Sequence, residues 1–233
     1  MVIIIDYISE GFNEAIRLLL GFDSEVYSII FLSLFVSTTA TIVSSLICIP
    51  LGIHLGINEF KGKRAFSRML YTFMSIPSVI VGLVVAILLS RKGPFGKFDL
   101  LYTPKAMIIA QVLLVTPLVL GLTYSLSKNR GKEIEKIGIT LGADKKDIII
   151  LTIKEFKLDL IVNVVTAFSR AISEVGAVMI VGGNIKNRTR VITTTISMMN
   201  SMGDYPMAIA LGIVLLIISF VINSLIYSYS GED

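Results

Sequence analysis

The chain is predicted to be an all-α membrane protein with about five spans and an N-terminal interfacial helix. Three observations predict it. The 233 residues are 54% hydrophobic, with a mean hydropathy of +0.83 and no Trp. The apolar residues come in long runs rather than scattered. The charged residues gather between those runs. A run of about 20 apolar residues crosses the hydrocarbon core as a helix. Four runs meet that length: Val26 to Ile57, Phe66 to Ser90, Pro104 to Leu126 and Met207 to Tyr229. A fifth, Leu158 to Gly182, is as long but interrupted by charge. Closed barrels also satisfy the backbone in lipid, but they alternate over segments of about ten residues, which these continuous runs exclude.

Residues 1–25 read as an amphipathic segment and 26–229 as one membrane domain, with a polar loop at 127–157. From Tyr7 to Leu20, apolar Ile8, Phe12, Ala15, Ile16 and Leu19 recur at helical spacing among acids, as in a helix lying on the membrane interface. The first charges are Asp6, Glu10 and Glu14 rather than a basic start, so the first span is expected to be an uncleaved anchor. That span exceeds the length a crossing requires and is expected to tilt or protrude. Gly52 and Gly56 form a small-xxx-small pair near its end, a spacing that lets helices approach closely. Pro77 and Pro117 each remove a backbone donor from a span and invite a kink.

Charge placement sets orientation. Lys61, Lys63, Arg64 and Arg68, with the eight basic residues between Lys128 and Lys157, give twelve on one side against eight on the other. The positive-inside rule then places the N-terminus outside and the C-terminus in the cytoplasm.

Enzymatic chemistry finds no support. The GPFGK fragment at 93–97 lacks the spacing of a phosphate-binding loop. No metal-ligand spacing occurs, and the single His54 and Cys48 both lie in the first span. No catalytic residue and no metal ligand are therefore assigned. His54 is expected to be packed or interfacial.

The loop from Lys132 to Lys157 is too ordered for a passive connection. Ile134, Ile137 and Leu141 fall on one helical stripe. Gly142 then supplies a stop, and Asp144 can cap a second helix carrying Ile148 and Leu151. Helix, glycine turn and helix present apolar knobs on a charged background, a shape suited to a partner's groove. An amphipathic loop resting on the bilayer is the other reading.

Inside the fourth span, Arg170 and Glu174 stand four apart and are expected to pair on one helix face. Asn163, Thr166 and Ser173 extend that face into a polar stripe. Charges at membrane depth face the bundle or water. The stripe thus either lines a path or gate, or is a neutralised pair stabilising the bundle or a dimer interface. Beyond it, Gly182, Gly183 and Asn184 read as a mobile outer turn, with Lys186, Arg188 and Arg190 able to attract anions or seat a partner.

The loop resembles the EAA loop of ABC-importer permeases, with Leu141-Gly142-Ala143 as the best match. Lys136 stands at the usual Glu, Ile137 and Gly138 at the two Ala positions, and Lys154-Glu155 where Leu-Pro commonly ends the motif. FSRAISEVGAVMIVGGNIKNRTRVITTTI at 168–196 and GDYPMAIALGIVLL at 203–216 closely resemble the tungstate branch of the molybdate/tungstate/sulfate permease family. Ser75 to Gly82 and Leu89 to Pro94 resemble the same branch.

The resemblance implies a type I importer permease in the cell membrane, working as a homodimer of this chain. It implies cytoplasmic ATPase subunits gripping Glu133 to Glu155, with ATP and magnesium held there and none by this chain. It also implies an extracytoplasmic substrate-binding protein that delivers the oxyanion. Nucleic acid is not an expected partner; membrane lipid is. Glu133, Ile137, Gly138, Leu141, Gly142, Ala143 and Asp144 become the coupling residues. Molybdate or sulfate is the alternative cargo. A self-sufficient channel or carrier using Arg170 and Glu174, and a non-transporting scaffold, are the readings from other classes. With the chain stopping at Asp233, inhibition through an appended cytoplasmic domain is not expected.

Overall fold

The computed structural model describes residues 9, 12–14 and 16–230, and these form helices, turns and bends with no strand among them. Tyr7, Ile8 and Ala15 of the expected interfacial helix lie outside the described residues. Its described residues, 9, 12–14 and 16–20, are helical; Leu18 and Leu19 pack toward Val26, Ile29, Ile192 and Leu211.

The first long helix, α1 (Ser24–Ile57), starts where the Asp23 carboxylate accepts hydrogen bonds from the Glu25 and Val26 N–H groups, both 3.0 Å. Such a cap occupies donors that the first helical turn leaves free. One face of α1 is small and weakly polar: Ser33, Ser37, Thr41, Ser44, Cys48, Gly52 and Gly56 are all buried. The opposite face carries exposed Phe31, Phe35, Leu46 and Ile47. This reverses the soluble pattern. Lipid is as apolar as Leu, so large side chains can stay outside while small ones let backbones meet.

The partner of that small face is α4 (Pro104–Thr140), 37 residues without interruption. Thr103 caps its start and Pro104 occupies a first-turn position that needs no N–H. At about 1.5 Å per residue the rod is roughly 55 Å long, against a hydrocarbon core of about 30 Å. The third span and the first half of the polar loop are thus one helix, which passes Pro117 without breaking. A β-carbon placed at Gly52 would lie 2.9 Å from Thr123 Cβ, and one at Gly56 would lie 2.7 Å from Ser127 Cβ. The small pair expected from the sequence is therefore a helix–helix contact between α1 and α4.

Two expected spans are not single helices. The second divides into α2 (Lys63–Met74) and α3 (Ser78–Leu89), bent by 92° at Ser75–Pro77. Pro77 ends one piece and starts the other rather than kinking a continuous span. The fourth divides into α6 (Lys157–Ile172) and α7 (Gly176–Gly182), bent by 56°. Between α4 and α6 lies α5 (Lys145–Glu155). The sequence reading passed over α8 (Ile192–Met202), which precedes α9 (Tyr205–Ser230). Among the described residues, α1, α4 and the 205–224 part of α9 are long and apolar enough to cross a membrane; counting each bent pair as one span gives five.

The half-helices α3 and α7 pack together and on α4. Val85, Leu89, Ala106, Met107, Ala110, Ala177, Val178 and Val181 make one cluster. A β-carbon at Gly82 would lie 2.6 Å from Ala177 Cα. Gly56→Leu forces a side chain into the α1–α4 seam, an overpacking that typically costs about 1–3 kcal/mol. Thermal unfolding of the purified protein should show Tm lower by roughly 2–10 °C. Leu46→Ala, on the exposed face, should leave Tm almost unchanged.

Candidate functional site

The polar end of the molecule is a helical hairpin. At the end of α4 the Leu141 N–H donates to Ile137 O and the Ala143 N–H to Gly138 O, 2.9 Å. Gly142 turns with φ of 80°, the left-handed region a side chain disfavours. Asp144 then caps α5: its Oδ1 accepts from the Lys146 and Asp147 N–H groups at 2.8 Å, and its own N–H donates to Asp147 Oδ2. The stop and cap expected from the sequence are both present. The expected first short helix is instead the last turns of α4.

The hairpin packs inward through Ile148, which meets Ile53 and Ile57 of α1. Gly138 leaves room for this, since a β-carbon there would lie 3.2 Å from Ile148 Cγ1. Thr152 is fully buried and Phe156 nearly so. Outward it presents Ile137, Ile139, Leu141 and Ile150, with Leu141 78% exposed. Ile134, expected on that stripe, is only half-exposed. Glu133 is solvent-exposed beside the stripe, while Ala143 is half-buried.

Two ties that the sequence reading missed hold the hairpin's base. The Arg130 guanidinium lies 5.0 Å from the Phe156 ring centroid and 3.2 Å from an Asp159 oxygen. Lys63 is buried just beyond α1, and its Nζ donates to Gly56 O at 2.7 Å and Asn58 O at 2.9 Å. A cation there complements the carbonyl end of the helix. Lys63 Nζ also lies 3.4 Å from Glu59, whose carboxylate takes a 2.6 Å bond from Lys132 on α4. That bond holds the Glu59 carboxyl below the usual Glu value of 4.5 and lifts Lys132 above 10.5. With the carboxylate lowered, the tie is intact above pH 4.5 and weakens only as pH falls through the folded value; with the ammonium raised, it persists below 10.5. His54, expected to be packed or interfacial, is exposed beside this junction. It edges a cavity of about 370 Å³ between α1 and the hairpin.

At membrane depth the expected Arg170–Glu174 pair does not form. The helix breaks after Ile172, so the two side chains no longer share one continuous face. Glu174 is 6% exposed, and its Oε1 accepts from the Ala177 N–H at 3.2 Å as α7 begins. Its carbonyl accepts from the Thr193 hydroxyl of α8 at 2.6 Å. The Arg170 side chain is exposed and makes no ion pair or hydrogen bond among the described residues. Thr166 on the same helix and Ser173 at its C-terminal cap are exposed, their hydroxyls donating to Val162 and Ser169 carbonyls. Asn163 is half-buried, with its buried Nδ2 unpartnered.

The two breaks meet. A β-carbon at Gly176 would lie 2.8 Å from Val79 Cγ2 and 3.0 Å from Ser78 Oγ. Pro77 hints at the first break; the second is marked only by the SEVG sequence.

The outer turn, expected to move, is pinned. Gly183 and Asn184 have positive φ of 69° and 50°. The Thr189 hydroxyl donates to Gly182 O at 2.6 Å, and Asn184 Oδ1 accepts from Thr194 at 2.9 Å. Lys186 and Arg190 both bind Glu25 of α1, at 2.6 and 2.8 Å. Of the three cations, exposed Arg188 alone forms no ion pair among the described residues.

Comparison with known proteins identifies the family of this membrane bundle. Residues 48–229 match the family described as binding-protein-dependent transport system inner membrane component. The chain belongs to that family. The permease is 69% identical over 227 residues to the tungstate uptake system permease protein TupB of Peptoclostridium acidaminophilum, covering 97% of this chain and 100% of that one. It is 39% identical to the TupB of Campylobacter jejuni, over 95% and 92% of the two chains. It is 29% identical to the sulfate transport system permease protein CysT of Escherichia coli, over 85% and 75%. The fold is that of a type I importer permease, an inner-membrane protein with several apolar helices.

In this permease Asp144→Ala removes the acceptor for two α5 N–H groups. Loss of such a cap costs about 0.5–2 kcal/mol. Amide exchange across 145–148 should accelerate roughly 2- to 30-fold. Asp144→Asn should restore most of the protection.

Proposed function

We propose that this chain is the membrane-spanning permease subunit of an ATP-driven tungstate importer. The observation that carries the proposal is the capped hairpin, with its exposed apolar knobs, at the end of the continuous α4 rod. Full-length similarity to TupB supplies the cargo. The chain carries no ATPase site of its own, and nucleotide and magnesium belong to a cytoplasmic partner. An extracytoplasmic binding protein delivers the anion. The excess of cations in and around 127–157 supports a cytoplasmic hairpin, an outer N-terminus and an inner C-terminus.

The partner ATPase grips Ile137, Gly138, Leu141, Gly142, Ala143, Asp144 and the flanking Glu133. Closure of two ATPase subunits displaces the hairpins. Because α4 is unbroken from hairpin to the far side of the bundle, displacement at Gly142 reaches the spans as rotation of a rod. Such coupling works only if the ATPase holds the hairpin differently in the two transport states.

The chain acts as a homodimer. Arg170, Thr166 and Ser173 are polar and exposed on a helix at membrane depth. A charge there is costly against lipid, about 2.5–3.5 kcal/mol on insertion scales. That cost supports an α6 face, Asn163 included, turned toward a second copy across a hydrated path. Glu174 fixes the start of α7 behind this face and so positions the gate without touching the anion. Gly182, Gly183, Asn184, Arg188 and Arg190 form the outer mouth, with Arg188 free to meet an anion or the binding protein.

Proteoliposomes carrying permease, ATPase and binding protein should accumulate labelled tungstate only with ATP. Flux through the permease alone would replace this reading with a carrier mechanism. Molybdate and sulfate added as competitors would identify the cargo by their order. Gly142→Leu places a side chain at φ of 80°, a strain of about 1–2 kcal/mol. Assembled complexes with that substitution should still hydrolyse ATP while uptake falls at least about tenfold. Arg170→Ala should lower uptake with hydrolysis and assembly retained; unchanged uptake would remove Arg170 from the path.

A further inference from the structure

A second site lies at the far end of α3, away from the hairpin and the α6 face. The loop after α3 folds back over the helix end. The Gly93 N–H donates to Ser90 O at 2.7 Å and the Phe95 N–H to Leu88 O at 3.1 Å. A β-carbon at Gly96 would collide with the Ser90 carbonyl, so this close return requires glycine there. Further along, the Tyr102 N–H donates to Val181 O at 2.9 Å and the Thr103 hydroxyl to Leu100 O at 2.6 Å. The loop is therefore built, and it encloses one side of an open groove.

The groove has a volume of about 320 Å³, and every side chain on its wall is apolar, among them Val85, Leu89, Phe95, Phe98, Ile109 and Leu113. Phe95 and Phe98 are exposed at its edge, where aromatic rings sit at a membrane surface. Four cations accompany it. Arg91 and Lys92 follow Leu89 after Ser90, Lys97 lies between the two phenylalanines, and Lys105 is one helical turn from Ile109. Lys97 Nζ stands 5.1 Å from the Phe98 ring centroid. All four are exposed and none forms an ion pair among the described residues; Asp99 is the one carboxylate between residues 91 and 105.

We propose that this groove retains an acyl chain of an anionic phospholipid whose headgroup is held by Arg91, Lys92, Lys97 and Lys105. The apolar wall suits a hydrocarbon chain, and cations at the membrane surface attract anionic headgroups. A second copy of the chain is the poorer occupant. A two-fold contact would set the four cations of one copy against the same four of the other. Zwitterionic lipid fills the groove but gives the cations no partner of net charge.

The test uses the full chain in nanodiscs with equal palmitoyl-oleoyl phosphatidylglycerol and phosphatidylcholine, followed by native mass spectrometry of the extracted protein. The wild type should retain phosphatidylglycerol over phosphatidylcholine by at least about tenfold. Combined Arg91→Gln, Lys92→Gln, Lys97→Gln and Lys105→Gln should bring the two lipids to parity. These side chains lie on the surface, so folding should survive, and an unchanged Tm would show that it does. Leu113→Trp, which fills the groove, should reduce retention of both lipids. Equal retention by the wild type, or a preference that survives the four substitutions, would overturn the proposal.

Discussion

The seam between α1 and α4 is the contact on which the other elements depend. Inside a bilayer there is little hydrophobic gain from pressing one apolar helix on another, because lipid already satisfies both. What holds them is close approach of backbones and the exclusion of lipid from a well-packed surface. The seam achieves this with Ser, Thr, Cys and Gly at three- and four-residue spacing, from Ser33 to Gly56. Ser33 donates to Ile29 O and Thr41 to Ser37 O within α1, so these two cost little when buried, while Ser44 donates across the seam to Val112 O at 3.3 Å. Every other element leans on this pair. The half-helices α3 and α7 pack on α4, α8 and α9 pack toward the start of α1, and α5 docks on its end.

A broken helix in a membrane frees backbone groups that lipid cannot satisfy. Near the break between α6 and α7, side chains supply several of the missing bonds. Gln111 of α4 donates to Ala171 O at 2.9 Å, Thr193 of α8 donates to Glu174 O, and the Glu174 carboxylate accepts from Ala177 N–H. That network gives α8 a reason to exist: its N-terminal threonines are buried beneath the break. The Ile192 N–H in turn donates to Ser33 Oγ at 2.8 Å, so the break is tied back to the central seam.

The parts legible in the sequence are those governed by local rules. Gly142 and Asp144 specify a stop and a cap because left-handed backbone and free N–H groups have few solutions. Gly52 and Gly56 mark a close contact because nothing larger fits. The parts that were not legible depend on partners distant in the chain. Hydropathy sees 66–90 and 158–182 as unbroken, since both halves of each bent pair are apolar. The Arg170–Glu174 spacing promises a salt bridge only if the helix continues, and Glu174 instead serves the next helix start. Lys63 resembles any loop cation by sequence; its burial follows from the carbonyls that the end of α1 exposes. The outer turn read as flexible from its glycines, yet Glu25, at the start of α1 and far away in the chain, fixes two of its cations.

These packing differences decide where the molecule can bend. Bending α1 or α4 would open the seam along its length, because Gly52 and Gly56 leave no slack against Thr123 and Ser127. Separating α3 from α7 would part Gly82 from Ala177, where the backbone of one meets the other. The remaining joints are Ser75–Pro77 and Ser173–Val175, which lie side by side at the contact of Gly176 with Ser78 and Val79. In the importer proposed above, force applied at the hairpin would travel along the unbroken α4 to the half-helices packed on it. In that reading the hairpin, the seam and the paired breaks would form one mechanical path.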